Sequence, residues 1–214
     1  MKRLRLWTTI VLFIAAIGGA LWLWWTLDLR WRPHTMGKDQ AQIAKLLDGA
    51  GWVAPHLPGP RLYVISYRDC PDCMRFETQI IPKLETVGVD TRVIMIARAD
   101  RNGLPQSTPA ERSTVAELWL GRDWNLYQRW LTASPPSAWT APGLAPADGD
   151  QARTAVVGAG RQLVEDLRPL LKKNGLQVGY PTLIWWNKAG AMRACACEDP
   201  RSYGPVESEL GVPR

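Results

Sequence analysis

A chain of 214 residues has room for one ordinary globular domain and an appendage, and an apolar share of 46% suits a packed core. Lys2, Arg3 and Arg5 supply half of the net charge of +6, and no block of Lys and Arg interleaved with aromatic residues follows them. A nucleic-acid partner is therefore not expected.

Residues 6–27, LWTTIVLFIAAIGGALWLWWTL, are 22 positions without a charge. As a helix they would rise about 33 Å, enough to cross a hydrocarbon core of roughly 30 Å. Trp7 stands at one end and Trp22, Trp24 and Trp25 at the other, where interfacial indoles are expected. The segment reads as a retained single-pass anchor, with residues 1–5 cytoplasmic and the rest of the chain exported into a compartment that permits disulfides. A signal peptide cleaved after the small residues around Ala20 is the alternative, but LWLWWTL continues the apolar run past that point.

Residues 28–60 read as a juxtamembrane helix, about 38–47, followed by a Gly- and Pro-rich linker, GAGWVAPHLPGP. RLYVISY (61–67) is strand-like, being short, β-branched and aromatic. From Cys70, residues Phe76, Ile80, Ile81, Leu84 and Val87 recur at helical spacing, with Pro82 inside the pattern and Gly88 closing it. TRVIMIA (91–97) predicts a second strand. Helical material follows from a start at Ser107/Thr108 before Pro109 to about residue 132, then a loop, then a helix over about 151–173. TLIWW after Tyr180-Pro181 predicts a buried strand, NKAG a turn, AMRACAC a returning strand, and the last segment a short helix. This order predicts an α/β domain over 61–212, with helices covering a mixed sheet.

Four cysteines occur, as C-x-x-C at Cys70 and Cys73 and C-x-C at Cys195 and Cys197. At a strand-to-helix junction Cys70 would meet the unpaired N–H groups and positive dipole end of the helix, which favour a thiolate. Cys73, one turn on, could then resolve a mixed disulfide. Two other readings stand beside this one. A zinc site would need a second pair within about 15–20 residues; here it follows after 121, and only His34 and His56 could substitute. An inert structural bridge is the other. In a regular strand the Cβ atoms of Cys195 and Cys197 would lie roughly 6.5–7 Å apart, beyond disulfide reach. Either the chain turns at Ala196 or these two do not pair.

The strand, Cys70-Pro71-Asp72-Cys73, the helix interrupted by Pro82, and Gly179-Tyr180-Pro181-Thr182 before an apolar strand together resemble the thioredoxin superfamily. The helical insertion, about 108–175, and in particular TVAELWLGRDWNLYQRWL (114–131), resembles the periplasmic thiol–disulfide isomerase type of catalytic domain. The resemblance covers about residues 60–210. It implies a thioredoxin-like fold with a cis Tyr180–Pro181 bond lying against the C-x-x-C and serving as the platform for substrate backbone. It implies thiol–disulfide exchange with exported proteins on the periplasmic side of a bacterial inner membrane, with no cofactor beyond the disulfide. A membrane or thioredoxin-like partner would reset the pair. The same fold could instead serve as a binding or assembly module of an envelope complex.

Departures from the family pattern shape the expectation. Some 30 residues between anchor and domain are too few for a separate dimerisation module, and VISY carries no buried acid in the first strand. Asp69 and Asp72 flank the cysteines and should raise the pKa of Cys70, making the couple a mild oxidant. Cys197 would approach the C-x-x-C and Pro181 surface as a second thiol able to exchange with it. Trp119, Trp124 and Trp130 are either a substrate surface or, as is commoner for aromatics at helical spacing, core.

Overall fold

A computed structural model describes residues 2–27 and 29–213, with side chains in the first helix described from Leu12 onward. The chain divides into two compact units, Met1–Arg32 and Pro33–Arg214.

The first unit holds α1 (Lys2–Leu27) and a 3-10 turn at Leu29–Trp31, whose Trp31 indole donates to the Thr26 carbonyl at 2.9 Å. Among the described residues no helix is long and apolar enough to cross a membrane. The described side chains of α1 cover residues 12–27, roughly 24 Å of helix. The expected cytoplasmic start and the first part of the expected anchor lie outside them.

The second unit runs β1 (His34–Thr35), α2 (Gln40–Gly49), β2 (Arg61–Ser66), α3 (Pro71–Gln79), α4 (Ile81–Thr86), β3 (Asp90–Met95), α5 (Pro109–Gly121), α6 (Trp124–Thr132), α7 (Gln151–Lys173), β4 (Thr182–Trp186), β5 (Met192–Ala196) and α8 (Tyr203–Leu210). The strands form one mixed sheet in the order β1-β5-β4-β2-β3. β2 pairs in parallel with β3 and antiparallel with β4, and β5 pairs antiparallel with β4 and β1.

Alternation along β2 assigns the two faces. Leu62 and Val64 join an apolar cluster with Phe76, Leu84, Leu118 and Trp130, from α3 to α6. Tyr63 and Ile65 join the opposite cluster, with Ile43 and Leu47 of α2 and Leu167 and Leu171 of α7.

Local chemistry explains the helix boundaries. Pro71 opens α3 with a preset backbone, and Cys70 is its N-cap. The helix breaks at Ile80 because Pro82 offers no N–H to the preceding turn, and Gly88, at φ 83°, ends α4. Thr108 and Glu111 form a reciprocal capping box at the start of α5. The continuous helical stretch expected over 108–132 is two helices. Arg122 turns into the left-handed region at φ 51°, and Asp123 caps α6 through the N–H groups of Asn125 and Leu126.

Residues 33–60 are part of the domain, not a linker ahead of it. Met36, Ile43 and Leu47 are completely buried, β1 extends the sheet beside β5, and Val53 exchanges two backbone hydrogen bonds with Val93 at 2.9 and 2.8 Å. The compact unit begins at Pro33, where sequence pattern alone suggested a start near 61.

Candidate active site

The interior strand β2 ends at Ser66, residues 67–69 turn, and Cys70 caps α3. Cys70 and Cys73 are disulfide-bonded, with Cα atoms 5.1 Å apart. The Cys73 backbone N–H donates to Cys70 Sγ at 3.0 Å, so a first-turn amide points at the sulfur that would carry charge when reduced. On its other side Cys70 Sγ lies 3.6 Å from the Tyr180 carbonyl oxygen. The Tyr180–Pro181 bond is cis, as the resemblance implied. The Tyr180 ring packs edge-on against Tyr67 at 5.0 Å, which joins the two loops that frame the sulfur.

One helical turn below Cys73, on the same face of α3, lies Glu77, 2% exposed. The Ser66 hydroxyl at the end of β2 donates to its carboxyl. The buried Tyr127 phenol of α6 faces the same carboxyl. Burial pushes the Glu77 carboxyl up to about 7, against the opposing pull of the Ser66 and Tyr127 contacts and of the Arg68 charge. Arg68 is itself enclosed and donates to the carbonyls of Ala133 at 2.9 Å and Leu131 at 3.4 Å. The missing strand acid is thus matched by a helical one. The stripe Cys73, Phe76, Glu77, Ile80 has the i, i+3, i+4, i+7 spacing of a buried face, which is the signal in the sequence that could have found it.

Asp69 and Asp72 flank the pair in different settings. Asp72 is ion-paired with Arg75 at 2.9 Å, both about a third exposed. Asp69 stands on the wall shared by two clefts. One, of about 700 Å³, is lined by Arg98, Arg112, Asp148 and Arg161; the other, of about 570 Å³, by Trp130, Trp139, Leu144 and Pro146. Of the tryptophans singled out in the sequence, Trp130 is fully buried, and Trp119 and Trp124 are half-buried against the core. Trp119 donates its indole N–H to the Met95 carbonyl at 2.8 Å and fills space that a side chain at Gly51 or Gly160 would occupy. They are core residues first.

Cys195 and Cys197 are bonded to each other. Their Cα atoms are 5.3 Å apart, less than the roughly 6.5 Å of two strand residues. Of the two possibilities left open by the sequence, pairing with a bend at Ala196 is the one adopted, and Cys197 extends the β4–β5 register by one pair beyond Thr182 and Ala196. Its N–H donates to the Pro181 carbonyl at 2.9 Å.

No protein-family profile and no curated protein matches the chain. Among solved structures, the catalytic domain of Proteus mirabilis ScsC aligns with a TM-score of 0.50 at 13% identity, over 79% of this chain and 93% of that one. Proteus mirabilis ScsC in a compact conformation gives 0.48 at 14% identity over 99% of this chain and 98% of that one. A periplasmic thioredoxin-like protein from Salmonella enterica serovar Typhimurium gives 0.45 at 16% identity over 81% and 98%. What is shared with the first of these is the fold. The chain has a thioredoxin-like fold: a mixed sheet flanked by helices, with the C-x-x-C at a strand-to-helix junction and a cis-proline turn against it.

Proposed function

We propose that this chain is a thiol–disulfide oxidoreductase that exchanges disulfides with exported proteins through Cys70 and Cys73. Cys70 is the attacking sulfur, Cys73 the resolving one, and Tyr180-Pro181 the edge along which substrate backbone lies. The observation that carries this reading is the setting of Cys70 Sγ, with the Cys73 amide at 3.0 Å on one side and the Tyr180 carbonyl at 3.6 Å on the other. The amide stabilises a thiolate, and the cis turn holds a reacting chain beside it. Electrons are stored in the cysteine pair itself, so no further cofactor is invoked; a membrane or thioredoxin-like protein returns the pair to its working state.

The chemistry needs a proton acceptor as well as a sulfur. Cys73 has no exposed surface and must lose its proton to attack the mixed disulfide. Glu77, on the same helix face and poised near pH 7, is the group suited to take it. Asp69 and Asp72 temper the thiolate, and because Arg75 offsets the charge of Asp72, Asp69 has the larger effect. The couple is accordingly a mild oxidant, and a potential near about −120 mV, the strongly oxidising end, would overturn that part.

Residues 6–27 anchor the domain to the bacterial inner membrane with the catalytic unit in the periplasm, a reading supported by the 22 charge-free positions and the tryptophans at both ends. Insulin reduction by the full chain, with Cys70→Ser as control, tests the activity. Turnover should fall at least a hundredfold, and turnover unchanged by the substitution would favour a binding module on the same fold.

A further inference from the structure

The two disulfides stand on either side of one turn. Cys70 Sγ touches the carbonyl of Tyr180, and the next carbonyl along the chain, that of Pro181, accepts the N–H of Cys197. Gly179 shows how tightly the end of β5 is pressed against this turn, since an added Cβ there would lie 2.9 Å from the Ala196 Cβ and would run into the Glu198 carboxylate. Cys195 and Cys197 belong to the apolar cluster that contains Phe76, on the sheet face that α3 covers. The chain then returns to the start of α3. The Tyr203 ring packs on Phe76 at 5.3 Å, and its hydroxyl donates to the Asp72 carbonyl at 3.4 Å. Cys197 has no exposed surface, so an attack on its sulfur must come from a group already inside the fold.

We propose that Cys195–Cys197 is a second redox centre that exchanges electrons with Cys70–Cys73 within one chain. The inference rests on the Cys70–Cys73 pair being redox-active. Starting from the Cys70/Cys73 dithiol, the Cys70 thiolate attacks Cys197 Sγ. The Cys70–Cys197 bond forms, the Cys195–Cys197 bond breaks, and Cys195 leaves as a thiolate that takes up a proton. Cys73, deprotonated, then attacks Cys70 Sγ; the Cys70–Cys73 bond forms and Cys197 is released and protonated. Two electrons and two protons pass from the first pair to the second, with no outside oxidant or reductant. The second pair is thus a store filled and emptied through the same cis-proline turn at which substrate would lie.

The test uses the full chain in detergent, reduced with one molar equivalent of a phosphine. Thiols are trapped with N-ethylmaleimide at successive times and located by peptide mass spectrometry. Label should appear first at Cys70 and Cys73 and then pass to Cys195 and Cys197. In Cys70→Ser/Cys73→Ser, labelling of the second pair should be at least tenfold slower. Label that reaches Cys70 and Cys73 but never the second pair overturns the exchange and leaves the proposed activity standing. Equal labelling of the second pair in the double variant also overturns it. No label at Cys70 and Cys73, together with no insulin turnover, overturns both readings. As an independent readout, Cys73→Ala/Cys195→Ala removes the resolving thiol and the leaving thiol, and mild oxidation should join Cys70 to Cys197 in a peptide found by mass spectrometry; absence of that bond overturns the exchange.

Discussion

Under α2 and α7 the sheet is packed by Met36, Ile43, Leu47 and Leu167 against Ile65 and Ile184. Under α3 and α6 the same strands enclose a carboxyl, a guanidinium and a phenol beside two disulfides. The six apolar side chains under α2 and α7 are there for cohesion and could be exchanged for others of similar volume with little consequence beyond stability, whereas Tyr63 on the same face keeps polar contacts with Asp48 and Arg92. The second face holds groups whose charged forms resist enclosure. Keeping Glu77 ionised there costs about 3 kcal/mol relative to an unshifted carboxylate, taking its rise from 4.5 to about 7. The apolar face supplies cohesion that the chemical face forgoes.

The sharpest way to break this division is a large-to-small change on the apolar face. Leu167→Ala should lower unfolding stability by about 2–5 kcal/mol in urea titrations and leave the reduction potential of Cys70–Cys73 where it was. A potential that moved in step with stability would show that the two faces are not separate in role.

Glu77→Gln probes the other face, and its sign depends on pH. A carboxyl whose pKa is raised by folding binds its proton more tightly in the native state. Its contribution to stability is full below about 4.5 and is lost as pH rises through about 7. Glutamine has no proton to lose. At pH 8 the variant should be the more stable, by up to roughly 3 kcal/mol, and at pH 4 its advantage should vanish. Urea midpoints at the two pH values check this, and the pH dependence of turnover between 6 and 8 should flatten in parallel. A stability advantage at pH 8 with an unchanged turnover profile would keep Glu77 as a buried acid but remove it from proton transfer.

The smallest expected effect is at Asp150, whose carboxylate caps α7 by accepting from the Arg153 N–H at 3.0 Å. Asp150→Ala should cost about 1 kcal/mol of stability, read by thermal unfolding, and leave insulin turnover unchanged.

The parts legible from sequence were those with a local signature. The β-branched run into C-x-x-C, the proline at the first helical position, and Tyr-Pro before an apolar strand each carry their cause within a few residues. What escaped was set by distant partners. His34-Thr35 has no strand pattern of its own and is extended because it pairs with Ala194 and Arg193 of β5. The short helix α2 looked like a stalk until α7 supplied the surface that buries Ile43 and Leu47. The bend at Ala196 accompanies the Cys195–Cys197 bridge, and the bond from the Cys197 N–H to the Pro181 carbonyl shows that pairing with the strand β4 carries on past it. Glu77 was readable in principle from the apolar stripe of α3, but a glutamate in PDCMRFETQ looks like the solvent side until the sheet covers it.

Both disulfides close very short loops, with sequence separations of 3 and 2. By chain statistics a bridge of that span restrains the denatured chain by only about 1.5 kcal/mol, whereas one spanning a hundred residues would restrain it by about 4.7. Neither bond clasps distant parts of the polypeptide together, so opening one releases little chain freedom. The scaffold is knitted by its sheet and helices alone. A protein wired in this way can pass through every combination of open and closed bridges without its architecture being staked on any of them.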